Sequence, residues 1–115
     1  MTQLTIFHNP NCSKSRGAIA LLKKNKINFI SIDYLTNTPT HEQLTQIITA
    51  GVPAKELVRT QEQEWIQLNI DLSKSSTQEI VQAIMSYPKI MQRPIILHNS
   101  RAIIARPPEK LLELI

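Results

Sequence analysis

The sequence has only one cysteine, two glycines and five aromatic residues in a chain of 115 residues. Because a single cysteine cannot close a disulfide within the chain, the cysteine content does not point to an exported protein. No apolar run approaches the roughly 18 residues that a membrane-spanning helix requires, and the N-terminus lacks the basic and apolar segments of a secretion signal. These absences predict a cytoplasmic protein without a membrane partner.

The overall composition is typical of one globular domain covering residues 1–115, with 42% hydrophobic and 19% charged residues. The formal net charge of +4 favours anionic partners in general. Nucleic acid is not expected among them, because aromatic residues are few and no run of lysine and arginine is longer than Lys23-Lys24.

The N-terminal part of the chain predicts a strand, a helix and a second strand. Alternating apolar residues predict a strand over Gln3–Phe7, which the turn residues Asn9-Pro10-Asn11 end. Ser13 is expected to cap a helix over about Lys14–Lys26, and a second strand is expected over Asn28–Asp33. Because a helix crosses between the two strands, they are predicted to be parallel.

The middle of the chain, about residues 40–87, is predicted to be a helical insertion. Thr40 and Ser76 each begin a sequence that fits a capping box, in which the first side chain and one three residues later bond to each other's backbone N–H groups. A further helix is expected over Glu62–Leu68.

The C-terminal part predicts a hairpin and a last helix. Apolar runs over Pro94–His98 and Ala102–Ala105 are joined by the turn residues Asn99-Ser100-Arg101, which favours antiparallel pairing. Pro107-Pro108 then opens a helix, since proline is tolerated in the first turn. The expected fold is therefore α/β, a four-stranded mixed sheet with helices on both faces, which is a thioredoxin-like plan with the helical insertion in its middle.

Cys12 lies where the first predicted strand has ended and the first helix begins. The first N–H groups of a helix have no partner within it and the helix dipole is positive there, so both favour a thiolate. At such sites a cysteine has a pKa of roughly 3.5–7.5 instead of about 8.5. Lys14 and Arg16 add positive charge, and His8 is expected to donate to the sulfur across the loop. The pattern predicts a reactive thiol.

Arginines near the predicted hairpin suggest a binding site for an oxyanion such as phosphate or arsenate, which a helix N-terminus also favours. Arginine can donate to such an anion through two parallel hydrogen bonds. Arg93 and Arg106 each precede a proline, which favours an extended backbone, and they lie where the hairpin begins and ends. Antiparallel pairing therefore places them at the same end of the sheet. By position alone, Arg59 and Arg101 are surface arginines.

Three segments of the chain resemble the glutaredoxin-dependent arsenate reductases of the ArsC family. They are "HNPNCSKSRGA", "ELVRTQE" and "QRPIILHNSRAIIARPPEKLLEL". The resemblance covers nearly the whole chain, and it combines a cysteine motif with three arginine positions in one order.

By position, the resemblance implies a nucleophile, a set of arginines that bind the oxyanion, and residues that tune the thiol. The nucleophile is Cys12, the arginines that bind the oxyanion are Arg59, Arg93 and Arg106, and the residues that tune the thiol are His8 and Ser15. It also implies a cis peptide bond between Arg93 and Pro94 that faces Cys12, as in thioredoxin-like folds generally.

The reaction that the resemblance implies is the reduction of arsenate to arsenite. The Cys12 thiolate attacks arsenic while arginines neutralise the oxyanion. Glutathione then attacks the arsenic adduct, and glutaredoxin follows. No metal or bound organic cofactor is expected, because one cysteine and three scattered histidines do not have the spacing of metal ligands.

Two other classes of protein share parts of this pattern. Spx-type regulators have the same fold and a similar N-terminal segment, but they bind RNA polymerase and typically carry a C-x-x-C switch, whose second position here is Ser15. A cysteine phosphatase needs an arginine six positions after the cysteine, where this chain has Ala18. The sequence therefore favours an arsenate reductase, with an Spx-like regulator that lacks reductase activity as the alternative.

Overall fold

A four-stranded sheet forms the centre of the computed structural model, which describes residues 4–115. Its strands are β1 (Leu4–His8), β2 (Phe29–Asp33), β3 (Ile95–His98) and β4 (Arg101–Ile104). The strand order is β2-β1-β3-β4, in which β1 and β2 are parallel and the other neighbours are antiparallel. The predicted mixed sheet is confirmed; Gln3, the first residue of the first predicted strand, lies outside the described residues.

The helix between the two parallel strands, α1 (Ser13–Lys24), differs from the prediction at both ends. Cys12 occupies the N-cap position that was expected for Ser13: its backbone is extended, and its carbonyl accepts the first helical hydrogen bond from the Arg16 N–H at 3.0 Å. The helix ends before Lys26, because that residue has the left-handed conformation with φ of 57°. The thiol is therefore attached to the residue at which the helix starts.

The helical insertion and the segment that joins it to β3 contain three α-helices and three short 3₁₀-helices. The α-helices are α2 (His41–Thr49), α3 (Gln63–Leu68) and α4 (Thr77–Ser86). The 3₁₀-helices are Ala54–Leu57, Leu72–Lys74 and Pro88–Ile90. Within residues 4–115, no helix is both long enough and apolar enough to cross a membrane.

Both predicted capping boxes form in this insertion. The Thr40 hydroxyl accepts from the N–H of Gln43 at 3.0 Å, and the Gln43 side chain accepts from the N–H of Thr40 at 3.0 Å. Ser76 and Glu79 exchange the equivalent pair of hydrogen bonds at 3.1 and 2.9 Å. The local sequence therefore determines where α2 and α4 begin.

The last helix that the sequence predicts is observed over Pro108–Leu114, and it is a 3₁₀-helix. Pro107 is extended, with ψ of 164°, so that the helix begins one residue later and the short remaining segment forms the tighter turn. This helix packs against α1 at Gly17, where an added Cβ would lie 3.1 Å from the Cγ of Pro108. The glycine therefore allows the two helices to approach closely.

Each face of the sheet carries a hydrophobic core. Successive side chains of a strand point to opposite faces, so that Ile6 and Ile96 are buried against α1 and the last helix, while Phe7 and Ile95 are buried against the helical insertion. Helices thus cover both faces of the sheet, as the sequence predicts.

The register of the strands brings the candidate site residues to one end of the sheet. Phe7 is paired with Ile95, and Ile95 is paired with Ile104. The loop that follows β1 therefore lies next to Arg93-Pro94, which precedes β3. Arg106, which follows β4, is brought to the same end of the sheet.

Candidate active site

Hydrogen bonds around Asn9 fix the loop between β1 and α1. The Cys12 N–H donates to the Asn9 carbonyl at 2.9 Å, and the Asn11 N–H donates to Oδ1 of Asn9 at 2.9 Å. The N–H of Asn9 donates in turn to Oγ of Ser15 at 3.1 Å, and Ser15 is fully buried. The loop therefore holds Cys12 in one position at the N-terminus of α1.

The thiol of Cys12 is partly exposed, and its pKa is lowered from 9.0 to about 7. Burial alone raises this pKa. The backbone N–H of Ser15, the guanidinium of Arg93 and the backbone N–H of Lys14 lower it by more, because each stabilises the negative sulfur. A substantial fraction of Cys12 is consequently a thiolate at neutral pH.

The positive charges that lower this pKa are not those expected from the neighbouring sequence. Lys14 acts through its backbone N–H, and its exposed ammonium group is not among the contributing groups. The side chain of Arg16 donates from Nη1 to the carbonyl of Pro10 at 3.2 Å. The contributing guanidinium belongs to Arg93, which is distant in sequence and reaches Cys12 through the pairing of β1 with β3.

The resemblance assigns Ser15 and His8 a role in tuning the thiol, and the two residues differ from each other in their relation to Cys12. Ser15 stabilises the thiolate through its backbone N–H, while its hydroxyl supports the loop. His8 is not among the groups that lower the pKa of Cys12. Partial burial lowers the pKa of His8, whereas the charge of Asp33 raises it. The buried Nδ1 of His8 has no hydrogen-bond partner among residues 4–115, so this atom does not donate to the sulfur.

Arg59 and Arg93 lie side by side, and the carboxylate of Glu62 joins them. Its Oε1 is 3.3 Å from Nε of Arg59 and 3.9 Å from Nη1 of Arg93. The exposed fractions of the side chains are 21% for Arg59, 18% for Glu62 and 16% for Arg93. A β-bridge between Val58 and Met91 holds the two backbone segments together. Arg59 is thus a largely buried residue beside Arg93, not the surface arginine that its position alone suggests.

Arg106 is connected to the same group of arginines. Its Nη1 donates to the carbonyl oxygen of Arg93 at 3.1 Å. Together with Arg59, it lines a cleft of about 240 Å³ whose walls also include Thr60 and Gln92. The structure therefore places all three arginines of the predicted oxyanion site in one neighbourhood.

Both Arg-Pro peptide bonds at this end of the sheet are cis. The bond between Arg93 and Pro94 agrees with what the resemblance implies, whereas the bond between Arg106 and Pro107 is not anticipated by the sequence. Arg101 is exposed at the opposite end of the hairpin, and its Nη1 donates to the carbonyl of Glu113 at 3.3 Å.

Sequence reasoning misses two residues of this site, Tyr34 and Glu62. Tyr34 is fully buried, and its hydroxyl has no hydrogen-bond partner among residues 4–115. Burial raises its pKa, while the nearby charges of Arg93 and Arg59 lower it. Two features of the sequence could have pointed to these residues. Tyr34 follows β2 directly, and β2 is parallel to β1. Glu62 lies three residues after Arg59.

The groups that meet here can carry out nucleophilic chemistry on an anionic substrate. A thiolate at a helix N-terminus is a strong nucleophile, and Arg93 beside it, with Arg59 and Arg106 next to Arg93, can hold and neutralise oxygen atoms. Within residues 4–115, no group of three His, Cys, Asp or Glu side chains is arranged to hold a metal ion.

Sequence comparisons connect the chain to known proteins. A family model described as the ArsC family matches residues 7–114. The chain is 39% identical to the uncharacterized protein YfgD of Escherichia coli (98% of this chain, 97% of that protein) and 32% identical to an arsenate reductase of Neisseria meningitidis serogroup A (96% and 97%). It is also 30% identical to the regulatory protein MgsR of Bacillus subtilis (97% and 90%).

The fold is shared with a solved arsenate reductase from Vibrio cholerae. The two structures agree with a TM-score of 0.91, and the match covers 99% of this chain and 98% of that chain at 34% identity. The thioredoxin-like architecture expected from the sequence is thus confirmed.

The first testable consequence concerns the titration of Cys12. We expect its alkylation rate with the neutral reagent iodoacetamide to rise with pH around a midpoint near 7. The variant Arg93→Gln loses the guanidinium and its positive charge, so its midpoint should lie higher by about one pH unit. Alkylation rates between acidic and alkaline pH, corrected for unfolded protein, measure both midpoints.

Arg101→Gln is the matched control, because it removes the same charge at the opposite end of the hairpin. Its midpoint should equal that of the wild type. A wild-type midpoint near 9, or equal shifts in both variants, would contradict the assignment of Arg93 as the stabilising group.

Proposed function

The chain belongs to the ArsC family, and from that premise we propose that it is an oxidoreductase that reduces arsenate to arsenite. Glutathione is the reductant, and glutaredoxin restores the protein after each turnover. The observation that carries this proposal is the position of Cys12, whose thiolate lies at the N-terminus of α1 and is stabilised by the guanidinium of Arg93.

Arsenate is a tetrahedral oxyanion, so its recognition requires donors from several directions. In the proposed complex, the first N–H groups of α1 approach it from the side of Cys12. Arg59, Arg93 and Arg106 approach from the side of the cleft, and their planar guanidinium groups can each donate two hydrogen bonds. The existing contacts among the three arginines support this assignment.

The proposed reaction begins when the Cys12 thiolate attacks arsenic and a protonated oxygen of arsenate leaves as water. The thiolate of glutathione then attacks the sulfur of this adduct. The electron pair of the broken sulfur–arsenic bond stays on arsenic, which leaves as arsenite, and Cys12 remains in a mixed disulfide with glutathione. Glutaredoxin removes that glutathione with its own thiol, so that two thiols are oxidised for each arsenic reduced.

Glutathione is proposed as a co-substrate, and no step of the scheme uses a bound metal or organic cofactor. The chain has no second cysteine with which Cys12 could form an internal disulfide. We place the reaction in the cytoplasm, because the glutathione pool keeps thiols reduced there. It includes no nucleic acid and no membrane as partners.

A regulatory function is the second candidate, since the relative MgsR bears the name of a regulatory protein. In this alternative the chain would bind RNA polymerase, as Spx-like regulators do, without reducing arsenate. Two features of the chain speak for the enzyme. Ser15 replaces the second cysteine of a C-x-x-C switch, and Arg93 stabilises the Cys12 thiolate while Arg59 and Arg106 lie next to Arg93. An arsenate reduction assay separates the two candidates, because the regulator would produce no arsenite.

We expect turnover to depend on glutathione and glutaredoxin. Arsenite formation should proceed with that pair and its reductase, and it should fail with thioredoxin and thioredoxin reductase alone, because Cys12 offers thioredoxin no internal disulfide to attack. Mass spectrometry of the trapped protein should show a glutathione adduct on Cys12 that is absent from Cys12→Ser. Full turnover on thioredoxin without glutathione would refute this route.

We expect Arg106→Lys to lower kcat/KM for arsenate by roughly tenfold or more, which corresponds to about 1.4 kcal/mol. Lysine retains the charge but loses the planar group that donates two parallel hydrogen bonds. Arsenate kinetics and the urea midpoint of unfolding should be measured together. Arg101→Lys is the control and should retain wild-type kinetics. Loss of stability with unchanged kinetics in Arg106→Lys would show that Arg106 supports the fold instead.

A further inference from the structure

Glu62 brings a negative charge into a site that is otherwise arranged to bind anions. Its Oε1 is shared by Nε of Arg59 at 3.3 Å and Nη1 of Arg93 at 3.9 Å. A carboxylate in this position competes with an incoming oxyanion for the same donors. It also repels the anion, and this repulsion is stronger than in water because the site is partly buried. On charge alone, Glu62 should weaken the binding of every anion.

The backbone holds Glu62 in this position. Its N–H donates to the carbonyl of Arg59 at 3.1 Å, and its own carbonyl accepts from the N–H groups of Trp65 and Ile66 at 3.0 and 3.1 Å. Trp65 is buried in the core and anchors α3. Glu62 is the N-cap residue of α3, yet its side chain does not cap that helix. The backbone of Glu62 is therefore fixed, and its carboxylate lies against the two arginines.

The chemistry of a carboxylate distinguishes between anions of the same shape. An ionised carboxylate can only accept hydrogen bonds. Arsenate and phosphate retain at least one proton at neutral pH and can donate it to Oε1 of Glu62. Sulfate has the same tetrahedral shape but carries no proton, so each of its oxygens would meet the carboxylate as a second unprotonated acceptor.

We propose that Glu62 makes this site selective for tetrahedral oxyanions that carry a proton, the class of arsenate and phosphate, over fully ionised ones such as sulfate. The inference rests on the proposed function, because it concerns an oxyanion bound by the same arginines. Glu62 accepts a hydrogen bond from the protonated oxygen, while Arg59 and Arg93 donate to the remaining oxygens. A site that pairs with a hydroxyl group on its ligand discriminates strongly against an analogue without one, because a polar group is then left unpaired.

Binding of phosphate and sulfate to the unmodified protein is the first test. Each anion is titrated at constant pH and ionic strength, and its affinity is read from the protection of Cys12 against iodoacetamide. The wild type should bind phosphate at least roughly tenfold more tightly than sulfate. Equal affinities would overturn the inference without the need for any variant.

Substitution of Glu62 tests which residue is responsible for the selectivity. In Glu62→Gln the side chain keeps its shape but is neutral and can donate a hydrogen bond, so sulfate should gain roughly tenfold in affinity and the ratio should approach one. Glu64→Gln is the matched control: it removes the same charge from α3, where Glu64 pairs with Lys89 at 4.0 Å and not with the arginines. Its phosphate-to-sulfate ratio should equal that of the wild type.

The outcomes separate this inference from the proposed function. A ratio that stays unchanged in Glu62→Gln, in protein that keeps its unfolding midpoint, overturns the role of Glu62 even if arsenate is reduced. Equal changes in Glu62→Gln and Glu64→Gln overturn it as well, because they indicate a general effect of charge. If neither anion protects Cys12 and arsenate is not reduced, both the proposed function and the inference fail.

Discussion

The interaction between the guanidinium of Arg93 and the thiol of Cys12 is the constraint on which the rest of the site depends. Together with the N–H groups of Ser15 and Lys14, it lowers the pKa of Cys12 to about 7, so that a substantial fraction of the nucleophile is a thiolate before any substrate arrives. The same arginine is joined to Glu62 through its side chain. Its carbonyl oxygen accepts the hydrogen bond from Arg106. Arg93 thereby connects the nucleophile to the cleft, and its place just before β3 is fixed by the pairing of β3 with β1.

The positive charges of the site are partly offset while no substrate is bound. Three guanidinium groups within one small region repel each other, and the carboxylate of Glu62 and the thiolate of Cys12 offset part of that repulsion. An oxyanion that enters adds further negative charge beside these groups and interacts with donors that the protein has already oriented. Such prior orientation of donors is the main way in which enzymes stabilise charge that develops during a reaction. The buried hydroxyl of Tyr34, which has no hydrogen-bond partner among the described residues, lies beside these charges.

Local patterns were sufficient to predict most of the fold. Thr40 and Ser76 specify the starts of their helices through contacts within four residues, and the turn at Asn99-Ser100 specifies the hairpin, so that no distant contact was needed. The site was only partly predictable, because its decisive contacts are non-local. Arg59 looks like a surface residue in the sequence, and only the bridge between Val58 and Met91 brings it to Arg93. The carboxylate of Glu62 reaches the site through that same pairing.

A single-turnover experiment tests the central claim, that Cys12 and its arginines form a site for the reduction of an oxyanion, most directly. Protein with a fully reduced thiol is mixed with arsenate and glutathione in the absence of glutaredoxin, and arsenite and the glutathione adduct are quantified over time. The account predicts a burst of about one arsenite per molecule, matched by an equal amount of mixed disulfide on Cys12, because the oxidised thiol then waits for glutaredoxin. Arsenite formation at the rate of the Cys12→Ser variant, with no adduct, would contradict the account.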